Sequence, residues 1–190
     1  MVDWDALSAV GTVLAVFVAL GLASQAERQR ARSDRQRAGL VAARLLETVR
    51  HMADKTHHHM AMLAFYEDNR DWTKHDFLSH LTDMGQMLEG IGVSTIQALE
   101  PLPGNTANRL AMAIGVVDTL AREAEGLRAR QSWSDVGASA RKHYVARWGS
   151  LAARANDYFR VVQRELEAAA EVAAPRPSGE ELYGSWGADD

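Results

Sequence analysis

The sequence contains no cysteine, and only four of its 190 residues are proline. Without thiols there is no disulfide framework, no cysteine nucleophile and no sulfur-bound metal. With so few prolines, long stretches are free to be helical. Runs of β-branched residues occur only near the N-terminus, and alanine is abundant, which again favours helix. No lysine or arginine precedes Arg28. That absence removes the basic n-region a cleaved secretory signal needs, since the first charges are Asp3 and Asp5. Glycine-rich phosphate loops, Ser–His–Asp arrangements and nucleotide motifs are missing too. Gly90-Ile91-Gly92 is too short and misplaced for a dinucleotide loop. There is no internal repeat.

What is present is an uninterrupted apolar run from Ala6 to Ala23, with no ionisable residue inside it. Eighteen residues at about 1.5 Å rise give roughly 27 Å of helix, close to the hydrocarbon thickness of a bilayer. A buried core helix is usually shorter or carries polar residues at helical spacing, and an interfacial helix needs a charged face. The run therefore reads as a transmembrane helix, with Trp4 placed as an interfacial anchor. Gly11, Ala15, Ala19 and Ala23 recur every four residues and share one helix face. Small side chains there let a second helix approach closely, so this face is the candidate surface for self-association.

Charge is distributed unevenly along the chain. The formal net charge of −4 partitions as −2 over 1–23, +3 over 24–38, −2 over 39–174 and −3 over 175–190. The positive block comes from Arg28, Arg30, Arg32, Arg35 and Arg37. Basic flanks stay on the cytoplasmic side, so the N-terminus is expected outside and the rest of the chain inside, at a bacterial inner membrane. These arginines read as a topology signal in contact with anionic headgroups rather than as a nucleic-acid arm. The nearly neutral body argues against a DNA-binding surface.

The remaining chain divides into a basic juxtamembrane segment to Gly39, a body of about 135 residues over 40–173, and a Pro-, Gly- and acid-rich tail over 174–190. That body is ample for a core of its own. Gly39 allows a kink. A helix from Leu40 to about Asp68 carries a stripe of Val41, Leu45, Val49, Met52, Thr56, Met60 and Leu63. The next starts near Asp71–Thr73, with Thr73 and Asp76 as a capping-box pair, and runs its stripe through Phe77, Leu81, Met84, Leu88 and Ile91. A short helix over Ser94–Glu100 stops at Pro101. Asn105 is the expected N-cap of a helix to about Arg130, with Leu110, Ile114, Val117, Leu120, Ala124 and Leu127 inside. Ser132 or Ser134 is expected to cap the last and longest helix, to about Ala173. Its seam is Val145, Trp148, Leu151, Ala155, Tyr158, Val162, Leu166 and Ala169. Four one-striped helices with short joins predict an all-α, antiparallel bundle, with part of the final helix protruding or meeting another subunit. The tail reads as disordered, with Tyr183 and Trp186 as a docking motif for a protein partner.

Candidate chemistry is sparse. His51, His57, His58 and His59 lie in one helix, but no pair has the i, i+3 or i+4 spacing of helical metal ligands. No metal and no cofactor are expected, and His59 alone faces the apolar stripe. A milder role is a pH response, since clustered imidazoles titrate near neutrality. Asp118, Glu123 and Glu125 read as an ordinary solvated face. The stretch Arg70-Asp71-Trp72-Thr73-Lys74-His75 has an arginine and a histidine five apart, with a polar residue after the arginine. It resembles the Arg-x4-His motif of the HEPN superfamily, all-helical bundles that often cleave RNA. The resemblance implies that Arg70 and His75 meet across a dimer at the 2′-hydroxyl and scissile phosphate, with Asp71 orienting them. Read from the residues alone, the same stretch is a helix N-terminus with a loop arginine and an exposed histidine.

Trp4-x-x-Leu7-Ser8-x-Val10-Gly11-Thr12, followed by the apolar span and basic collar, resembles small bacterial inner-membrane proteins of unknown function. The layout as a whole is similar to the membrane accessory proteins of RNA-targeting CRISPR systems, which assemble into pores. That similarity implies an antiviral or stress effector. The expectation is a non-enzymatic, membrane-anchored homo-oligomer; the alternative is a membrane-tethered ribonuclease.

Overall fold

A computed structural model describes residues 4–66, 77–130, 133–175 and 177–183; the side chains of 4–16, 77, 180 and 183 lie outside the described set. Every regular element among these residues is helical. In order they are α1 (Trp4–Ala64), α2 (Phe77–Leu88), α3 (Val93–Gln97), α4 (Thr106–Arg128), a 3-10 turn (Trp133–Asp135), α5 (Ala138–Ala173) and α6 (Gly179–Tyr183).

The first helix is one piece of 61 residues, about 90 Å long. Gly39 does not break it. Instead the missing side chain lets α5 approach: a Cβ at Gly39 would collide with the Ala173 methyl and lie 3.1 Å from the Ala169 carbonyl oxygen. The glycine signals a close crossing, not a kink. Burial starts at Ala38; every described side chain from Phe17 to Arg37 is exposed. The longest helix is therefore α1 rather than α5, and what projects from the bundle is the N-terminal half of α1.

The bundle is built as a chain of neighbours: α1 lies on α5, α5 on α4, and α4 on α2. Two pairings are antiparallel. Leu63 packs at Gly149, Asp54 meets Arg160 and Arg50 meets Glu167, so the numbers rise on α1 as they fall on α5. Likewise Gly104, ahead of α4, sits beside Glu165, while Glu123 meets Arg147. The α2–α4 crossing is tight at Gly85, where an added Cβ would lie 2.8 Å from that of Ala121.

The apolar stripes form the core with small shifts. In α1 Leu45, Val49, Met52 and Leu63 are buried, with Ala42 and Ala53 beside them, while Val41 and Met60 are half-buried. In α5 the buried row is Trp148, Ala152, Ala155, Phe159, Val162 and Leu166. Leu151 and Tyr158, expected in the seam, sit at its edge. Trp148 and Phe159 are fully buried, and truncating either to alanine costs about 3–5 kcal/mol.

Helix ends differ from expectation at three places. Asn105 precedes α4 but adopts a left-handed conformation, φ 56°, and makes no capping bond with its side chain. The buried Thr106 hydroxyl instead donates to the Pro103 carbonyl at 2.6 Å. Before it, Gly104 has φ 73°, the left-handed region that favours glycine, and an added Cβ would sit tightly, 3.1 Å from the Glu165 carboxylate. Helix α5 begins after Gly137, not at a serine, because Trp133–Asp135 forms its own turn that buries Trp133. In the tail, Ser178 and Glu181 bond each other's backbone N–H at 2.6 and 3.2 Å, a reciprocal cap that opens α6. Within the tail, Gly179–Tyr183 takes one short helical turn. The Thr73–Asp76 pair lies outside the described residues.

Candidate functional site

The projecting half of α1 carries most of the sequence-derived site residues. Phe17 is 69% exposed, and Val18, Leu20 and Leu22 are also open. Nothing among the described residues covers them. Ala19 and Ala23 are exposed, as are Arg28, Arg30, Arg32, Arg35 and Arg37. The side chains of Trp4, Gly11 and Ala15 lie outside the described set, although the helix backbone runs through them. Among the described residues, no helix is long and apolar enough to cross a membrane. The first eleven residues of the Ala6–Ala23 run are among those whose side chains are not described.

Arg70, Asp71 and His75 also lie outside the described residues, so their geometry is not part of the site. The histidines separate by burial. His51, His57 and His58 are exposed, while His59 is 4% exposed and packs edge-on to His58 and to His80 of α2, with ring centres 5.8 and 6.1 Å away. Its Nδ1 lies 2.7 Å from the Lys55 carbonyl oxygen, a distance at which an Nδ1–H donates. Burial is the main cause that pushes the His59 pKa down, and His58, His80 and Lys55 add to it against the backbone bond. No three metal-ligating side chains converge among the described residues.

Two polar constructions were invisible in the stripe pattern. Between α1 and α5, the buried Asn156 amide donates to the Ala53 carbonyl at 2.7 Å and to the Thr56 hydroxyl at 3.2 Å. Thr56 in turn donates to the Met52 carbonyl, 2.8 Å away. Between α4 and α5, Glu123 receives the Arg147 Nε–H at 3.0 Å and the Trp148 indole N–H at 3.0 Å. It is not a plain solvated carboxylate as expected. The Arg147 bond first, and then the Trp148 N–H, hold its carboxyl below the ordinary range although burial opposes them. Trp148 stacks on Trp133 with centres 5.7 Å apart, and Tyr144 leans on both. The stack ties the 3-10 turn to α5. The only sequence hint of this construction was Arg147 beside a stripe tryptophan.

A cleft of about 550 Å³ opens where α1 leaves the bundle. Leu40, Val172 and Pro101–Pro103 form its apolar walls, with Arg35 and Glu165 at the rim. Its volume falls within the roughly 300–1,000 Å³ of small-ligand sites. Leu40 and Val172 belong to no predicted stripe, and they are 57% and 86% exposed. No protein-family model matches this chain, and no curated protein or solved structure matches it either.

Proposed function

We propose that the chain is a membrane-anchored helical protein whose N-terminal helix crosses a bilayer and self-associates, and whose bundle is a non-enzymatic body on the cytoplasmic side. One observation supports this most: α1 runs clear of the bundle with Phe17, Val18, Leu20 and Leu22 uncovered. Leaving each such side chain in water forgoes about 1.5–3 kcal/mol of burial. A lipid environment removes that cost, and the sequence upstream extends the same apolar surface back to Ala6. The arginines after it favour the N-out orientation. Gly11, Ala15, Ala19 and Ala23 offer the close-approach face for a second copy. A channel lined by this helix is hydrophobic, since Thr12 is its largest polar side chain, and it gates by dewetting.

The test is fractionation of the full-length chain. The protein should pellet with membranes, resist alkaline carbonate, and need detergent for release. Leu14→Arg, at the middle of the span, should shift it toward the supernatant, because a central arginine costs about 2.5–3.5 kcal/mol on the insertion scale. Replacing Ala15 and Ala19 by leucine should lower the oligomer mass in detergent. A full-length chain that stays in a detergent-free supernatant as a monomer overturns the reading.

A further inference from the structure

The apolar cleft at the base of the bundle is next to the point where the chain leaves α5, and that adjacency suggests its occupant. It is lined by the small residues Ala168 and Ala169 and the open Val172 of α5 and by Leu40 of α1. Small residues beside two exposed aliphatic side chains leave space for an apolar ring. The α1 side carries net positive charge: Arg35 lines the cleft, and Arg32 and Arg37 stand exposed on the same helix against the one acid between them, Asp34. The acidic lining residue, Glu165, lies on the α5 side, where its carboxylate and the Arg109 guanidinium both approach Gly104.

The segment 184–190 reads Gly-Ser-Trp-Gly-Ala-Asp-Asp. It pairs one large ring, Trp186, with two carboxylates three and four residues on. Trp186 lies thirteen positions beyond Ala173 at the cleft, a reach of roughly 40 Å when extended. α6 shortens the link and its exposed Leu182 adds apolar surface near the tail. We propose that the chain's own C-terminal segment, residues 184–190, docks in this cleft, with Trp186 over Leu40 and Val172 and with Asp189 and Asp190 against the arginines of α1. The ring covers two open aliphatic side chains of the cleft, and the tail's carboxylates complement the net positive charge of α1. The proposal does not depend on the membrane reading.

The absence of native cysteine makes the test direct. Full-length chains carrying Gln36→Cys, a cleft-lining position that leaves Leu40 and Val172 intact, and Ser185→Cys are oxidised mildly, and the products are separated on a non-reducing gel. Docking predicts a fast disulfide within one chain. Adding Trp186→Ser should slow it about tenfold, the weight expected of one buried aromatic ring. The Gln36→Cys variant alone gives a second readout: its alkylation should be slow with Trp186 present and about tenfold faster with Trp186→Ser. Equal rates with and without Trp186 overturn the proposal. Disulfides formed between chains also overturn it, and place a second copy's tail in the cleft instead.

Discussion

Replacing Asn156 tests the packing argument most directly. The side chain reaches from α5 into α1 and donates to the Ala53 carbonyl at 2.7 Å and the Thr56 hydroxyl at 3.2 Å. Both bonds are buried, and each is worth about 0.5–1.5 kcal/mol net. Asn156→Ala removes both and leaves a small void, so the expected loss is about 2–3 kcal/mol. At about 2–4 °C per kcal/mol for a domain of this size, Tm should fall by roughly 4–12 °C. Asn156→Leu keeps the branched outline of the side chain with somewhat more volume and strands no donor, since Thr56 still has the Met52 carbonyl; it should cost less than Asn156→Ala. The assay is urea unfolding of the full-length chain in mild detergent, followed by circular dichroism. A double-mutant cycle with Thr56→Val should show coupling of about 0.5–1.5 kcal/mol. Zero coupling, or an Asn156→Ala loss below about 0.5 kcal/mol, refutes the view that this amide pins α1 against α5.

Three further outcomes are expected. Gly85→Ala should destabilise by about 1–3 kcal/mol, because its methyl would meet Ala121 inside the α2–α4 crossing and both positions are buried; an unchanged urea midpoint contradicts that crossing. His59 is held neutral by burial, so its pKa in the folded chain is below the ordinary 6.5. The unfolded chain then binds the extra proton first, and stability should fall as pH drops below about 6.5; His59→Leu should flatten that part of the pH profile relative to the parent. Glu123 has the opposite origin but loses stability in the same direction. Its carboxyl is held below the ordinary 4.5 by Arg147, so its contribution is present above that value and is lost only on stronger acidification. Glu123→Gln should lower stability by about 1–2 kcal/mol at neutral pH and remove that acid-range slope; near-ultraviolet circular dichroism of the Trp133–Trp148 stack provides the local readout.

The residues alone determined the helical class and the buried faces. Leu45, Val49, Met52 and Leu63 on α1, and Leu110, Val117, Leu120 and Leu127 on α4, are spaced for one face of a helix and are buried on it. The apolar run from Ala6 and the arginine block after it are equally legible, because each is a local property of consecutive residues. The tertiary structure alone decided which faces meet. Gly39 looked like a break when considered by itself; it is a contact point once Ala173, more than 130 residues away in sequence, packs against it. Glu123 looked solvated until Arg147 and Trp148 came within bonding distance. Asn156 had no visible role before Ala53 faced it. Hydrophobic spacing records how a helix is oriented toward an interior, while the identity of its neighbour depends on contacts between distant segments, which no local pattern encodes.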